Sequence, residues 1–250
     1  MDKHELIKSV SWVIVLFFFI SSIFGAVEVF SKYNTHLTIN SDNTIEINKS
    51  LSLKNVYDVG IVPGQIEFKI GKGTEGSIAN IEIIEVMAVD RFGTEIKTQI
   101  RQTKDFSVII LDIYYPLLPG FEYNFELYYK LSYKPGGIFF KSLQIPLRES
   151  TIPIENGLFT VTLPDNYYFT YIFTEDTKAE LDGNSATWII KDNNPKSIAF
   201  EYSYIPLKVG NFKGSYVFWI LINLCIIIFL VYEVRREIKR IRIEDKDYEG

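Results

Sequence analysis

Two uncharged apolar runs, one near each end, constrain this chain more than any other feature. Between Lys8 and Glu28 lie 19 residues without a charge, Ser9 to Val27, and between Lys213 and Glu233 lie another 19, Gly214 to Tyr232. At ~1.5 Å of rise per helical residue each run covers about 28 Å, close to the ~30 Å thickness of a bilayer's hydrocarbon core. Residues 214–232 are therefore expected to form a transmembrane helix, with Tyr216, Trp219 and Tyr232 near its ends, where interfaces favour aromatic rings. Residues 1–27 open with Lys3 and Lys8 ahead of the apolar run, which reads as a signal peptide or as an uncleaved anchor helix. Cutting after Ala26 sets Phe24 where a small residue is preferred, and cutting after Gly25 sets Ile23 there, so both readings stay open.

Charge gives the orientation. Residues 233–250 form a short tail containing Arg235, Arg236, Lys239, Arg240 and Arg242. The positive-inside rule makes this end cytoplasmic, so the expected location is the cell membrane with residues 28–213 extracytoplasmic. The same five side chains are candidates for contact with anionic lipid or with a partner. Eighteen residues are too few for a signalling domain, so any signal must pass through partners.

From Lys32 to Leu207 the dominant pattern alternates apolar and polar residues, the mark of half-buried strands. Tyr123, Phe125, Leu127, Tyr129, Leu131 and Tyr133 form the clearest run. The alternation changes parity at Ile83-Ile84, which predicts a β-bulge. Turn signals such as Asp42-Asn43, Pro119-Gly120 and Asp182-Gly183 separate the runs, and the last predicts a hairpin. About a dozen short strands predict an all-β ectodomain, an antiparallel β-sandwich. The breaker cluster Lys134-Pro135-Gly136-Gly137 suggests two sandwich units, residues 28–134 and 135–213.

Composition narrows the chemistry. With 47% hydrophobic and 23% charged residues the chain is globular, and a net charge of −5 argues against a nucleic-acid partner. Cys225 is the sole cysteine and His4 and His36 the two histidines, which exclude an intramolecular disulfide and a Cys/His zinc site. His36 lies in a strand-like stretch with no local sign of a triad and reads as structural. Carboxylates such as Glu122, Glu126 and Glu149 are plentiful, but sequence does not tell which two would face each other across a cleft, and Glu122 and Glu126 read as the polar face of a strand. Gly71-Lys72-Gly73-Thr74-Glu75-Gly76 lacks the Gly-Lys-Ser/Thr ending of a phosphate loop. The chain is thus expected not to be an enzyme, with no catalytic, cofactor-binding or metal residues.

Two asparagines remain as candidates. Asn48-Lys49-Ser50 fits the N-glycosylation pattern on the extracytoplasmic side. Asn223 sits mid-way along the C-terminal run, where an amide favours an interhelical contact.

The ectodomain also resembles the luminal region of ribophorin I, a non-catalytic oligosaccharyltransferase subunit. The residues concerned are Leu117-Leu118-Pro119-Gly120-Phe121-Glu122-Tyr123, Leu127-Tyr128-Tyr129 and Thr160-Val161-Thr162-Leu163-Pro164. The resemblance implies β-sandwich domains on a single C-terminal span and an accessory scaffold role, and it carries no functional residue over. The expectation is an accessory or interaction subunit of a membrane or envelope complex, with the lipid bilayer and an integral-membrane protein as partners. The alternative is a ligand-binding or sensory surface receptor.

Overall fold

The computed structural model describes residues 26–71, 81–147, 149–174, 178–194, 196–207, 209–210 and 212–248, with side chains to residue 239. The N-terminal run before Ala26, read above as a signal peptide or anchor, lies outside the described residues, as do residues 72–80 of the glycine-rich stretch. The described residues form thirteen strands and one helix: β1 (Glu28–Ile39), β2 (Thr44–Asn55), β3 (Gly64–Gly71), β4 (Glu82–Asp90), β5 (Thr98–Gln102), β6 (Phe106–Ile113), β7 (Glu122–Ser132), β8 (Phe140–Pro146), β9 (Asn156–Thr162), β10 (Tyr168–Thr174), β11 (Glu180–Asp182), β12 (Ser185–Lys191), β13 (Ser197–Ser203) and α1 (Gly214–Tyr248).

The strands form one seven-stranded sheet, in the order β11-β12-β9-β1-β2-β7-β4, and two three-stranded sheets, β10-β13-β8 and β3-β6-β5. Among these strands pairing is antiparallel except between β1 and β9, which run parallel, with Leu37 opposite Val161. Glycine makes that approach possible: a Cβ on Gly157 would lie 2.2 Å from the Tyr33 carbonyl oxygen. The parity change at Ile83-Ile84 is a register shift between Ile83 and Glu85 that leaves Ile84 exposed. At Asp182-Gly183 the chain turns from β11 into β12 with Gly183 at φ 58°, in the left-handed region.

Period-two alternation buries one face of the large sheet. Tyr33, Leu37 and Ile39 of β1, Ile45, Ile47, Leu51 and Leu53 of β2, and Phe125, Leu127, Tyr129 and Leu131 of β7 all point into one core. Phe68, Ile109 and Leu111 from one small sheet join the same cluster, as do Leu143, Phe200 and Tyr202 from the other. Strands from both sides of the Lys134–Gly137 breaker therefore share a sheet and a core. The breaker is a local turn: Gly137 sits at φ 88°, and a Cβ there would lie 2.0 Å from the Phe140 carbonyl oxygen. Between the ends of β3 and β8, over Leu37, Ile45, Ile47 and Leu131 of the large sheet, lies a cavity of about 110 Å³, reached also by Ile70, Ile145 and Glu149.

α1 leaves this body through a fixed root. Buried Glu201 of β13 accepts the Ser215 backbone N–H at 3.0 Å, the Ser215 hydroxyl at 2.6 Å and the Thr170 hydroxyl at 2.8 Å. A carboxylate at a helix N-terminus satisfies free N–H groups and meets the positive end of the helix dipole. The Phe218 ring packs on Phe139 and Phe140, 6.1 and 5.4 Å between centroids. Residues Gly214–Lys239 of α1 are long and apolar enough to cross a membrane.

Candidate functional site

The strand alternation that fills the core sets a second row of side chains on the opposite face of the large sheet. On β1 these are Asn34 and His36; on β2, Asn48 and Ser50; on β7, Glu126 and Tyr128. Register aligns them across the strands. Thr160, His36, Asn48, Tyr128 and Met87 stand side by side, and beside them run Leu158, Asn34, Ser50, Glu126 and Val89. The face is concave here and encloses about 710 Å³.

Its electrostatics are mixed. His36 Nε2 lies 3.5 Å from the Thr162 hydroxyl. At one margin Lys130 pairs with Glu46 at 3.0 Å, and Asn40 donates to the same carboxylate at 3.1 Å. The Lys130 hydrogen bond to Glu46 raises the lysine above its ordinary range despite some desolvation. Desolvation, aided by the Glu46 and Glu85 carboxylates, raises the Tyr128 phenol, so it remains a neutral donor and acceptor. A hollow with donors, acceptors and apolar patches from Met87, Val89 and Leu158 is chemically suited to an extended, hydrogen-bonding ligand or a protein segment.

The inward face holds the other polar feature. Lys49 is 3% exposed, and its Nζ meets Glu149 Oε2 at 2.9 Å, the Tyr33 hydroxyl at 3.0 Å and Thr35 Oγ1 at 3.4 Å. Tyr129 donates its hydroxyl to the Glu149 carboxylate at 3.1 Å. Burial pulls the Lys49 ammonium down, but Glu149 and Tyr33 outweigh it and hold the group above its usual range. Burial pushes Tyr33 up to about 12 and raises Tyr129 well above its ordinary value. The ammonium meets three oxygens, which makes the cluster a structural network. Its signal in the sequence is Lys49, a lysine at the apolar parity between Ile47 and Leu51, whereas Glu149 carries no such signal.

Other sequence candidates fall as follows. Asn48 is exposed at the centre of the hollow. The Asn223 amide donates to the Trp219 carbonyl at 2.8 Å, one turn back in its own helix. Arg235, Arg236 and Lys239 are exposed on α1, with Arg236 3.4 Å from Glu233, while Arg240 and Arg242 continue the helix. Glu126 lines the hollow and Glu122 begins β7. Among the described residues, no group of three or more His, Cys, Asp or Glu is placed to hold a metal ion.

Together these features define a class, a β-sheet body with a concave polar face and one C-terminal apolar helix. No protein-family model matches the chain. It is 31% identical over 133 residues to the uncharacterized protein MJ1395 of Methanocaldococcus jannaschii, covering 53% of this chain and 92% of that protein. This chain belongs to the family of MJ1395.

Among solved structures, a Legionella pneumophila protein solved as a candidate nutrient-binding protein aligns with a TM-score of 0.45 and 8% identity. The alignment covers 71% of this chain and 67% of that one. An M1 zinc metallopeptidase from Deinococcus radiodurans aligns at 0.40 and 10%, covering 70% and 42%. Native leukotriene A4 hydrolase from Saccharomyces cerevisiae aligns at 0.44 and 10%, covering 70% and 29%. The chain thus spans less than half of the peptidase and of the hydrolase. The expectation that the chain is not an enzyme is corrected by these neighbours, since two of them are enzymes. At such TM-scores and identities the likeness assigns this chain no activity.

Proposed function

We propose that this protein is a membrane-anchored, extracytoplasmic β-sandwich that acts as an interaction subunit of a membrane complex. The two small sheets form the layer that covers the core face of the large sheet, and the outer face of the large sheet receives the partner. The observation that carries this reading is the concave row Thr160–His36–Asn48–Tyr128–Met87 on a sheet face that no other element covers among the described residues. α1 supplies the anchor, and the basic residues after Tyr232 set the tail on the cytoplasmic side by the positive-inside rule. The partner is an integral-membrane protein, held by the sheet face outside and by α1 within the bilayer. There the remaining amide hydrogen and carbonyl oxygen of Asn223 meet a neighbouring helix.

Native purification in mild detergent, with mass spectrometry of everything retained, tests the reading. A stoichiometric integral-membrane protein supports it, and recovery of the chain alone across several detergents contradicts it. One observation favours a second reading, a ligand-binding surface protein: the hollow's 710 Å³ falls within the ~300–1,000 Å³ typical of small-molecule sites. A chain recovered alone but carrying a co-purified small molecule supports that alternative.

A further inference from the structure

The body has two ends, and both expose apolar side chains. At one end Ile138, Phe139, Tyr168, Tyr204 and Phe212 surround the root of α1, where a membrane surface is at hand. The other end lies the full length of β2 away, 12 residues or about 40 Å at ~3.3 Å per residue. It too is apolar. Val56, Tyr57, Val59 and Val62 of the β2–β3 loop, Phe92 after β4, and Tyr115, Leu118 and Phe121 of the β6–β7 loop are all exposed, Phe92 at 76% and Phe121 at 63%.

This rim is built rather than loose. Asn55, fully buried, donates its backbone N–H to the Phe121 carbonyl at 3.2 Å and its side-chain amide to the Val59 and Leu117 carbonyls at 2.8 and 2.9 Å. Its side-chain oxygen accepts the Tyr57 N–H at 2.8 Å, and its carbonyl accepts the Gly120 N–H at 3.0 Å. Ile61 and Leu117 exchange two further backbone bonds. A hollow of about 460 Å³ opens between Phe92, Tyr115, Leu118 and Phe121. Holding these rings in water is costly, and a contiguous exposed apolar patch marks a contact surface.

The path of the chain says what covers it. Val27 closes the 19-residue uncharged run, and its carbonyl accepts the Val56 N–H at 3.1 Å, inside this rim. On the anchor reading of residues 1–27, a segment of bilayer-spanning length joins the fold at Val27, at the end opposite α1. We infer that the Val56–Val62, Phe92 and Tyr115–Phe121 rim is a second membrane-contact surface, seated at the lipid interface beside the N-terminal run. The body then lies along the bilayer, touching it at both ends. Tyrosines with polar tips and rings beside them are the side chains that interfaces favour.

The test uses the full-length chain in phosphatidylcholine/phosphatidylglycerol vesicles. Cys225 is replaced by Ser, and an environment-sensitive dye is placed on a single new cysteine, Tyr115→Cys or Phe121→Cys at the rim and Asn48→Cys on the outer sheet face. Lipids spin-labelled near the headgroup should quench the rim dyes at least about fivefold more than the Asn48 dye. Equal quenching at rim and Asn48 overturns the proposal. So does rim shielding that persists in detergent and scales with protein concentration, which assigns the rim to a second copy. All three positions are exposed in the folded chain, and retention of the circular-dichroism spectrum confirms that the labelled variants fold.

Discussion

Asn48 and Lys49 are neighbours on β2, yet they belong to different worlds. Asn48 faces the open hollow, flanked in register by His36 and Tyr128, while Lys49 is sealed into the core against Glu149, Tyr33 and Thr35. Both faces of the sheet are polar at this level. The inward face consumes its polarity internally, every donor of the ammonium meeting an oxygen. On the outward face Asn34 accepts the Leu158 N–H at 3.1 Å and Ser50 the Lys32 ammonium at 3.1 Å, while Asn48 stays exposed to something outside the chain. One strand thus separates a group that holds the fold from a group available for recognition, and substitution on the two faces should have opposite consequences.

The largest expected effect is on the inward face. Lys49→Met strands the Glu149 carboxylate in the core and should cost about 3–5 kcal/mol of unfolding free energy, measured by denaturant titration. Replacing Glu149 with Leu in the same chain removes the stranded charge and should return much of that loss. If the single and double variants lose the same stability, the pair is not the unit described here.

A pH profile sharpens the comparison next. Tyr33 titrates near 12 when folded and near its ordinary value of 10.0 when unfolded, and Tyr129 and Lys49 are likewise raised in the fold. A raised folded pKa gives stability that is complete below the unfolded value and is lost as pH rises toward the folded one. Thermal stability should therefore hold across neutral pH and fall from about pH 10 toward 12. Tyr33→Phe should make that alkaline fall shallower, whereas His36→Ala on the outer face should leave its slope unchanged.

The smallest effects on stability belong to the outer face. Asn48→Arg and His36→Ala should each change unfolding free energy by no more than about 0.5 kcal/mol. Asn48→Arg should nonetheless weaken partner retention at least about tenfold, since it fills the hollow with a charge at its centre. A large stability loss from either variant would show that the outer face is part of the core's support.

Much of this geometry was legible from alternation alone. The parity of β1, β2 and β7 assigns Ile47, Leu51 and Leu127 inward and His36 and Asn48 outward, and the bulge at Ile83-Ile84 appears as a broken period. The partnership of β1 with β9 was not legible, because parallel pairing joins strands far apart in sequence and leaves no turn signature. The Pro135-Gly136-Gly137 breaker suggested a domain boundary because turn chemistry reports a local change of direction, not which sheet the next strand joins. The role of Lys49 is illegible in the sequence for a related reason. A long cation on an apolar parity reads as an interruption until Glu149, which comes from a distant loop, is seen to meet it.

The outer face as a recognition surface is the central claim, and photo-cross-linking in native membranes tests it most directly. A photoreactive residue at Asn48 should give one discrete adduct with an integral-membrane protein, absent when the same residue replaces exposed Lys104 in the β5–β6 turn. No adduct from Asn48, or the same products from both positions, would contradict the account.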